Sequence, residues 1–283
     1  MNFDIPKFPL AHIIDVALNW LTSNFSFITK AVSHVTSAAI DGIVTALLWF
    51  PPWVLIIAVA ALAWRMAGRR VAIFSAIGLL FLWDLRLWEP TIQTITLVLI
   101  STLIAVVIGL PLGIGAALSK RTSRIVMPVL DFMQTMPAFV YLIPAIPFFG
   151  LGAVSASVAT VIFSMPPAIR LTALGIKQVP ADLIEAADAF GSTPRQKLFK
   201  VQLPMAVPTI MAGVNQTIML ALSMVVIAAM IGAGGLGGEV WKAIQRLEPG
   251  KGFESGIAIV ILAMILDRIT QRIGRGSKTA TAK

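Results

Sequence analysis

The sequence predicts an all-α protein that crosses a membrane several times. Of its 283 residues, 58% are apolar and 12% are charged, whereas a soluble domain carries about 25% charged residues. Three uncharged stretches, residues 92–118, 132–152 and 202–238, each reach the length of about 20 residues that a helix needs to cross a bilayer. A chain of this composition cannot cover a water-facing surface, so we predict a polytopic membrane protein.

The apolar runs predict about seven spans. Residues 1–50 mix charged and apolar residues at helical spacing, which favours amphipathic helices on the membrane surface; a crossing that begins near residue 43 is the alternative. Residues 51–90 are predicted to form two accessory spans, at 51–67 and 71–88. The remaining five spans are predicted at residues 92–118, 125–152, 153–169, 205–236 and 255–273, before a cytoplasmic tail at 274–283.

The basic residues predict the orientation of the chain. They cluster in four segments beside the apolar runs: 65–70, 119–131, 170–204 and 267–283. These segments hold 16 of the 22 Lys and Arg residues and five acidic residues, a net charge of +11. The other side holds six basic and eight acidic residues, net −2. By the positive-inside rule the four segments are cytoplasmic and Met1 lies outside.

Prolines and glycines predict where helices break and where they pack closely. The fourth span holds four prolines: Pro128, Pro137, Pro144 and Pro147. Because an internal proline removes a backbone hydrogen bond, we expect this span to be broken. Irregular backbone inside a membrane lies against protein or a water-filled cavity, so the span borders a pathway or is a kink buried between helices. The third span holds residues predicted to allow close helix packing: Gly109, Pro111, Gly113 and Gly115.

The residues that enzymes and nucleotide-binding proteins use are scarce. The chain has no cysteine and two histidines, His12 and His34, so we predict no catalytic and no metal site. It has no GxxxxGK[ST] segment, so we predict no ATP-binding motif in this chain. Residues 232–237 fit GxGxxG, but they close an apolar span and follow no strand, which argues against a dinucleotide site. The basic residues form no face interleaved with aromatic residues, which argues against nucleic-acid binding.

The cytoplasmic loop at residues 177–204 is predicted to hold two short helices. Pro180 suits the first turn of the first helix, and Gly191 can end that helix in a left-handed conformation. Thr193 can cap the second helix, and Pro204 is predicted to end it. The first helix has a length of about 15 Å and is too short to be stable alone. It is therefore predicted to dock against a partner.

The spacing of residues in this loop resembles the EAA loop of ABC importer permeases. The matching positions are Glu185, Ala186, Ala187, Gly191, Val201, Leu203 and Pro204. Val201 departs from the family pattern, which usually has isoleucine there. In that family the loop couples the permease to a groove of the ATPase subunit; the alanines allow close approach and the glutamate offers a charge. The resemblance implies a type I importer permease fold, with the permease domain at residues 91–273 and the coupling loop at 177–204.

Two longer stretches indicate which group of ABC importer permeases the chain resembles. DFMQTMPAFVYLIPAIPFFGLG at residues 131–152 and MAGVNQTIMLALSMVVIAAMIGAGGLG at residues 211–237 are similar to permeases of glycine betaine, proline betaine and choline importers. The resemblance covers roughly residues 91–272. It implies import of an osmolyte through a bacterial inner membrane by two permease copies, embedded in lipid, and two cytoplasmic ABC ATPase subunits. It further implies a separate periplasmic or lipid-anchored substrate-binding protein.

Six residues in the fourth and sixth spans are candidates to line the pathway. They are Gln134, Thr135, Pro137, Asn215, Gln216 and Thr217. Polar groups inside a bilayer need partners, and a substrate or a neighbouring helix would serve equally well. The sequence places no charge at the centre of a span, which suits a net-neutral solute. The resemblance implies that cation–π recognition of its methylated ammonium lies mainly in the binding protein.

Other functions fit the sequence less well. An ion-coupled secondary carrier often shows inverted repeats and intramembrane ionisable residues, and the sequence shows neither. A channel needs a selectivity ring, and a membrane enzyme needs a reactive cluster. Among the importers, permeases for amino acids or sulfonates are the alternative, separated from the betaine group only by the two long stretches.

Overall fold

The protein is all-helical in the computed structural model, which describes residues 9–280 and the side chains of residues 9–272. These residues form helices and connecting turns without a strand, so the predicted all-α class is confirmed. The predicted position of Met1 and the end of the cytoplasmic tail, 281–283, lie outside the described residues. The helices are α1 (Leu10–Asn24), α2 (Ser26–Trp49), α3 (Pro52–Ala67), α4 (Arg69–Asp84), α5 (Trp88–Leu118), α6 (Lys120–Thr135), α7 (Leu142–Phe149), α8 (Ala153–Lys177), α9 (Ala181–Ala189), α10 (Pro194–Lys197), α11 (Leu203–Ala228), α12 (Gly235–Gln245) and α13 (Pro249–Ala280).

Length and composition identify the helices that can cross a membrane. Within the described part of the chain, four helical stretches are long and apolar enough: α2, α5, α8 and the continuous stretch Pro194–Ile231. The bent pair of α6 and α7 makes a fifth if it counts as one broken span. α3 is apolar but shorter, at 16 residues. The predicted total of seven crossings therefore stays a prediction.

The described part of the N-terminal region, residues 10–49, is helical, as predicted. α2 has 24 residues, of which a window of 18 has a mean hydropathy of 1.5, and it packs against α5, α7 and α8. Its length of about 36 Å is enough to cross the hydrocarbon core. Whether residues 1–50 lie on the membrane or cross it stays a prediction, and α2 is the segment that decides it.

Three predicted helix boundaries are wrong. The fifth span does not end at residue 169, because α8 continues to Lys177. Pro204 does not end a helix, because α10, a π-helical turn at Leu198–Gln202 and α11 form one continuous helical stretch. Pro204 lies at the start of α11, where the missing N–H of a proline is tolerated in the first turn. The sixth span ends at Ile231 rather than at residue 236, because Gly232 turns the chain in a left-handed conformation with φ 86°.

The predicted break in the fourth span is confirmed. α6 and α7 are bent by 113° relative to each other. Met136 and Pro137 are extended, with ψ of 133° and 141°, as expected for a proline and the residue before it. The Tyr141 hydroxyl donates a hydrogen bond to the Met133 carbonyl, which also accepts one from Met136 N–H at 3.3 Å at the end of α6. The break is thus stabilised by contacts within the same span.

Glycines bring α5, α8 and α11 into close contact. A Cβ added at Gly109 would lie 3.0 Å from Ala168 Cβ, and one added at Gly113 would lie 2.7 Å from the Ile169 carbonyl oxygen. Gly213 of α11 approaches α8 in the same way. Gly115 does not, because its nearest neighbour would lie at an ordinary 3.7 Å. The predicted close packing is therefore confirmed for two of the three glycines in the third span.

The glycine-rich segment before α12 packs against α5. Gln93 Oε1 accepts a hydrogen bond from Gly235 N at 2.9 Å, and Thr94 Oγ1 accepts one from Leu236 N at 2.8 Å. Side chains of α5 thus satisfy two N–H groups that the start of α12 leaves free. A Cβ at Gly235 would lie 2.6 Å from Thr94 Oγ1. The GxGxxG pattern of residues 232–237 therefore reflects helix packing.

Candidate functional site

The first helix of the cytoplasmic loop, α9, begins directly after Pro180 and ends as the sequence predicts. Gly191 has φ 72°, the left-handed conformation that glycine adopts without strain. Its N–H donates to the Asp188 carbonyl at 2.9 Å, and Ser192 N–H donates to the Ala187 carbonyl at 3.0 Å. Nothing lies within 4 Å of a Cβ built at Gly191. The requirement for glycine there is therefore conformational rather than steric.

α9 presents an uncovered apolar ridge. Leu183, Ala186 and Phe190 lie at positions i, i+3 and i+7 and share one helix face. Phe190 is 90% exposed and Leu183 is 41% exposed. Glu185 is exposed beside the ridge, and Ala187 is half-buried. Leu183 and Phe190 were missed by the sequence reasoning, although their helical spacing to Ala186 was a usable signal.

The second part of the loop positions α9. Thr193 and Gln196 form a capping box: Gln196 N–H donates to Thr193 Oγ1 at 3.3 Å, and Thr193 N–H donates to Gln196 Oε1 at 2.8 Å. The predicted cap is confirmed. Lys197 Nζ donates to Asp188 Oδ1 at 2.7 Å, which ties α10 to the last turn of α9. The two helices therefore form one unit at the surface.

The C-terminal end of the loop is anchored in the transmembrane core. Leu203 packs against a buried cluster that includes Ile176 of α8 and Leu198, and Leu110 of α5 packs against the same cluster. Val201 is half-buried in the π-helical turn, and Pro204 is exposed at the start of α11. A displacement of the loop would therefore act directly on α5, α8 and α11.

Two predicted pathway residues make contacts between or within helices. Asn215 Nδ2 donates to Asp267 Oδ1 of α13 at 2.8 Å, and Asn215 Oδ1 accepts a hydrogen bond from Thr270 of the same helix. Thr217 is fully buried and donates to the Gly213 carbonyl of its own helix at 3.0 Å. The geometry gives both residues a packing function.

The other four pathway candidates are exposed. Gln134 and Thr135 lie in the last turn of α6, and Pro137 lies in the break that follows. Gln216 lies on α11, on the same exposed stripe as Ser223 seven residues later. Both helices pack against α8. These residues are available to line a pathway beside α8, and their function stays a prediction.

An ion pair between two helices was missed by the sequence reasoning, which counted its residues with the cytoplasmic segments 119–131 and 170–204. Arg170 Nη2 of α8 donates to Asp131 Oδ1 of α6 at 2.6 Å. Two turns away, Lys177 Nζ donates to Ser123 Oγ at 3.4 Å, so α6 runs antiparallel along α8. Leu130 is the one buried residue of α6. The side-chain hydrogen bonds between α6 and α8 are therefore on an exposed face. No local sequence pattern predicts a contact between two residues that are 39 positions apart along the chain.

Comparison with known proteins agrees with this architecture. The family model of the binding-protein-dependent transport system inner membrane component matches residues 109–278. The chain is 56% identical over 269 residues to the glycine betaine transport system permease protein OpuAB of Bacillus subtilis (strain 168), covering 95% of each chain. It is 55% identical over 284 residues to the glycine betaine/carnitine transport permease protein GbuB of Listeria monocytogenes, covering 98% of this chain and 99% of that one.

A solved structure supports the fold. The MetNI methionine ABC transporter in an inward-facing conformation matches with a TM-score of 0.61 at 24% identity, over 65% of this chain and 93% of that one. This likeness confirms the predicted type I importer permease fold. Together with the family match, it accounts for the apolar helices and for the exposed loop that is anchored in the core. The chain therefore belongs to the binding-protein-dependent transport system inner membrane component family and is a membrane-embedded permease subunit of an ABC importer.

Proposed function

We propose that this permease forms the pathway for a zwitterionic quaternary-ammonium osmolyte of the glycine betaine type. The observation that carries the proposal is the identity of 55–56% with two permeases of glycine betaine systems over nearly the whole chain. Glycine betaine and carnitine each combine a fully methylated ammonium with a carboxylate. Choline lacks the carboxylate, so we rank it below the zwitterions as a solute of this importer.

The exposed ridge on α9 is the surface that we propose docks into a groove of the ATPase. It joins an uncovered apolar face to an acidic side chain, Glu185, and its position depends on Gly191. The anchored end at Leu203 gives a mechanical link from that groove to α5, α8 and α11. The complete importer would hold two permeases, two ATPases that bind ATP and magnesium, and a periplasmic or lipid-anchored binding protein.

Uptake assays test the substrate. Vesicles that contain the complete importer should accumulate radiolabelled glycine betaine when ATP is enclosed, and an excess of unlabelled carnitine should reduce this uptake. A neutral amino acid such as methionine serves as the comparison solute. Uptake of the amino acid without uptake of glycine betaine would favour an amino-acid importer and refute the proposal.

Cysteine labelling tests the orientation, because the chain has no native cysteine. We expect Ser192→Cys in the loop to be protected from an impermeant maleimide in intact cells, and Gln245→Cys at the end of α12 to be labelled. Ser23→Cys, in the last turn of α1, decides the N-terminal side. Its labelling agrees with a surface α2 and an outside N-terminus, whereas protection indicates that α2 crosses. Labelling of Ser192→Cys from outside would reverse the whole assignment.

A further inference from the structure

The ion pair between Asp131 and Arg170 lies on an open face of the chain. The two side chains are 67% and 39% exposed. Arg170 lies about 10 Å along α8 from its end at Lys177, and Asp131 lies about 16 Å along α6 from Lys120. α8 is long and apolar enough to cross a membrane, and a charge within such a helix is costly against lipid, so that it faces a water-filled cavity or other protein. The pair is therefore expected to face away from the lipid.

The surroundings of the pair favour the water-filled cavity. Gln134 and Thr135 follow Asp131 by three and four residues, so the three side chains share one face of α6. All three are exposed, and the face ends at the break before Pro137. Irregular backbone inside a membrane lies against protein or a water-filled cavity, and an exposed polar face beside the broken span fits the cavity.

Both charged groups have unused hydrogen-bonding capacity. Arg170 uses Nη2 toward Asp131, while its Nε is buried and has no partner among the described residues. Asp131 uses one carboxylate oxygen for the pair. An ion pair as exposed as this one contributes little to stability, so a charged ligand can separate the two groups at small cost.

We propose that Asp131 and Arg170 form a transit site for a zwitterionic solute, an inference that rests on the proposed function. The carboxylate of the solute replaces Asp131 at the guanidinium of Arg170, whose planar fork suits a carboxylate. The methylated ammonium, which donates no hydrogen bond, is attracted by the freed carboxylate of Asp131. No charge is left uncompensated inside the membrane, whether the solute is bound or absent. Because the site is weak, the solute can also leave it.

The test compares import with ATP hydrolysis in the complete reconstituted importer, supplied with excess binding protein and glycine betaine. The variant Asp131→Asn/Arg170→Gln removes both charges and leaves neither one unpaired. We expect the glycine betaine imported per ATP hydrolysed to fall about tenfold, because the charged ends of the solute lose their partners. A second variant, Arg170→Lys, keeps the positive charge but loses the planar guanidinium with its paired N–H donors. It should lower the glycine betaine imported per ATP hydrolysed about threefold.

The control is Glu248→Gln/Lys251→Gln, which neutralises another exposed ion pair, at 2.9 Å across the start of α13. It should keep the ratio of the wild type. A purely structural pair would lower import and hydrolysis together, so an unchanged ratio in both test variants overturns the transit site. If the wild-type importer takes up no zwitterionic quaternary-ammonium solute, the proposed function itself fails. Normal wild-type uptake with an unchanged ratio in the variants overturns the transit site alone.

Discussion

Replacing Gly191 by valine is expected to abolish most ATP-driven transport while the protein still inserts into the membrane. Gly191 has φ 72°, and a side chain in the left-handed region costs about 1–2 kcal/mol, more when it is branched. This cost corresponds to a factor of about 5–30 in the population of the native loop. It is large for α9, a nine-residue helix whose position depends on contacts with residues 194–202. Uptake and ATPase co-purification in reconstituted vesicles measure the effect.

Two control variants distinguish the effect of backbone strain at Gly191 from the effect of replacing a glycine as such. Gly191→Asn should retain most transport, because asparagine tolerates the left-handed conformation and no atom lies within 4 Å of the new Cβ. Gly42→Val, at an exposed position of α2 with open space around it, should be neutral. Full transport by Gly191→Val would show that the end of α9 does not matter for coupling.

The charge of α9 is expected to matter as well. Glu185 is the fifth of the nine residues of α9, beyond the first turn in which the helix dipole acts. Glu185→Lys therefore acts mainly by reversing the charge beside the ridge of Leu183, Ala186 and Phe190. We expect substrate-stimulated ATP hydrolysis to fall with uptake. If Glu185→Lys and Gly191→Val both keep full uptake and stimulated hydrolysis, the loop is not the coupling element.

Replacing Gly113 by alanine is expected to destabilise the whole permease. The new Cβ would lie 2.6 Å from Thr172 Cβ and 2.7 Å from the Ile169 carbonyl oxygen. The oxygen belongs to the backbone of α8, so relief requires α5 and α8 to move apart. Overpacking of this kind costs about 1–3 kcal/mol. A lower melting temperature of the detergent-solubilised complex, followed by tryptophan fluorescence, measures the loss.

Gly115→Ala is the matched control in the same helix. Its Cβ would make an ordinary contact of 3.7 Å with Thr122 Cγ2, and alanine favours the helix over glycine by about 1 kcal/mol. We expect this variant to melt at or above the temperature of the wild type. Equal melting of the Gly113 and Gly115 variants would contradict the close approach of α5 and α8.

The sequence was informative wherever a structure depends on neighbouring residues. Apolar runs predicted the all-α class, the capping residue Thr193 and the left-handed Gly191 were recognised in the loop, and four prolines predicted a broken span. Each of these follows from interactions within a few residues along the chain. The family resemblance then gave the permease fold, because the EAA spacing is a local pattern too.

The sequence failed wherever a structure depends on residues far apart along the chain. The capping of α12 by Gln93 and Thr94 joins residues 142 positions apart, and the pair Asp131–Arg170 joins residues on two helices. The sequence reasoning assigned both charged residues to cytoplasmic segments, 119–131 and 170–204, because basic residues cluster there. The tertiary structure alone brought them together, because α6 folds back along α8 after the turn at Ser119 and supplies the partner that each charge requires inside a membrane.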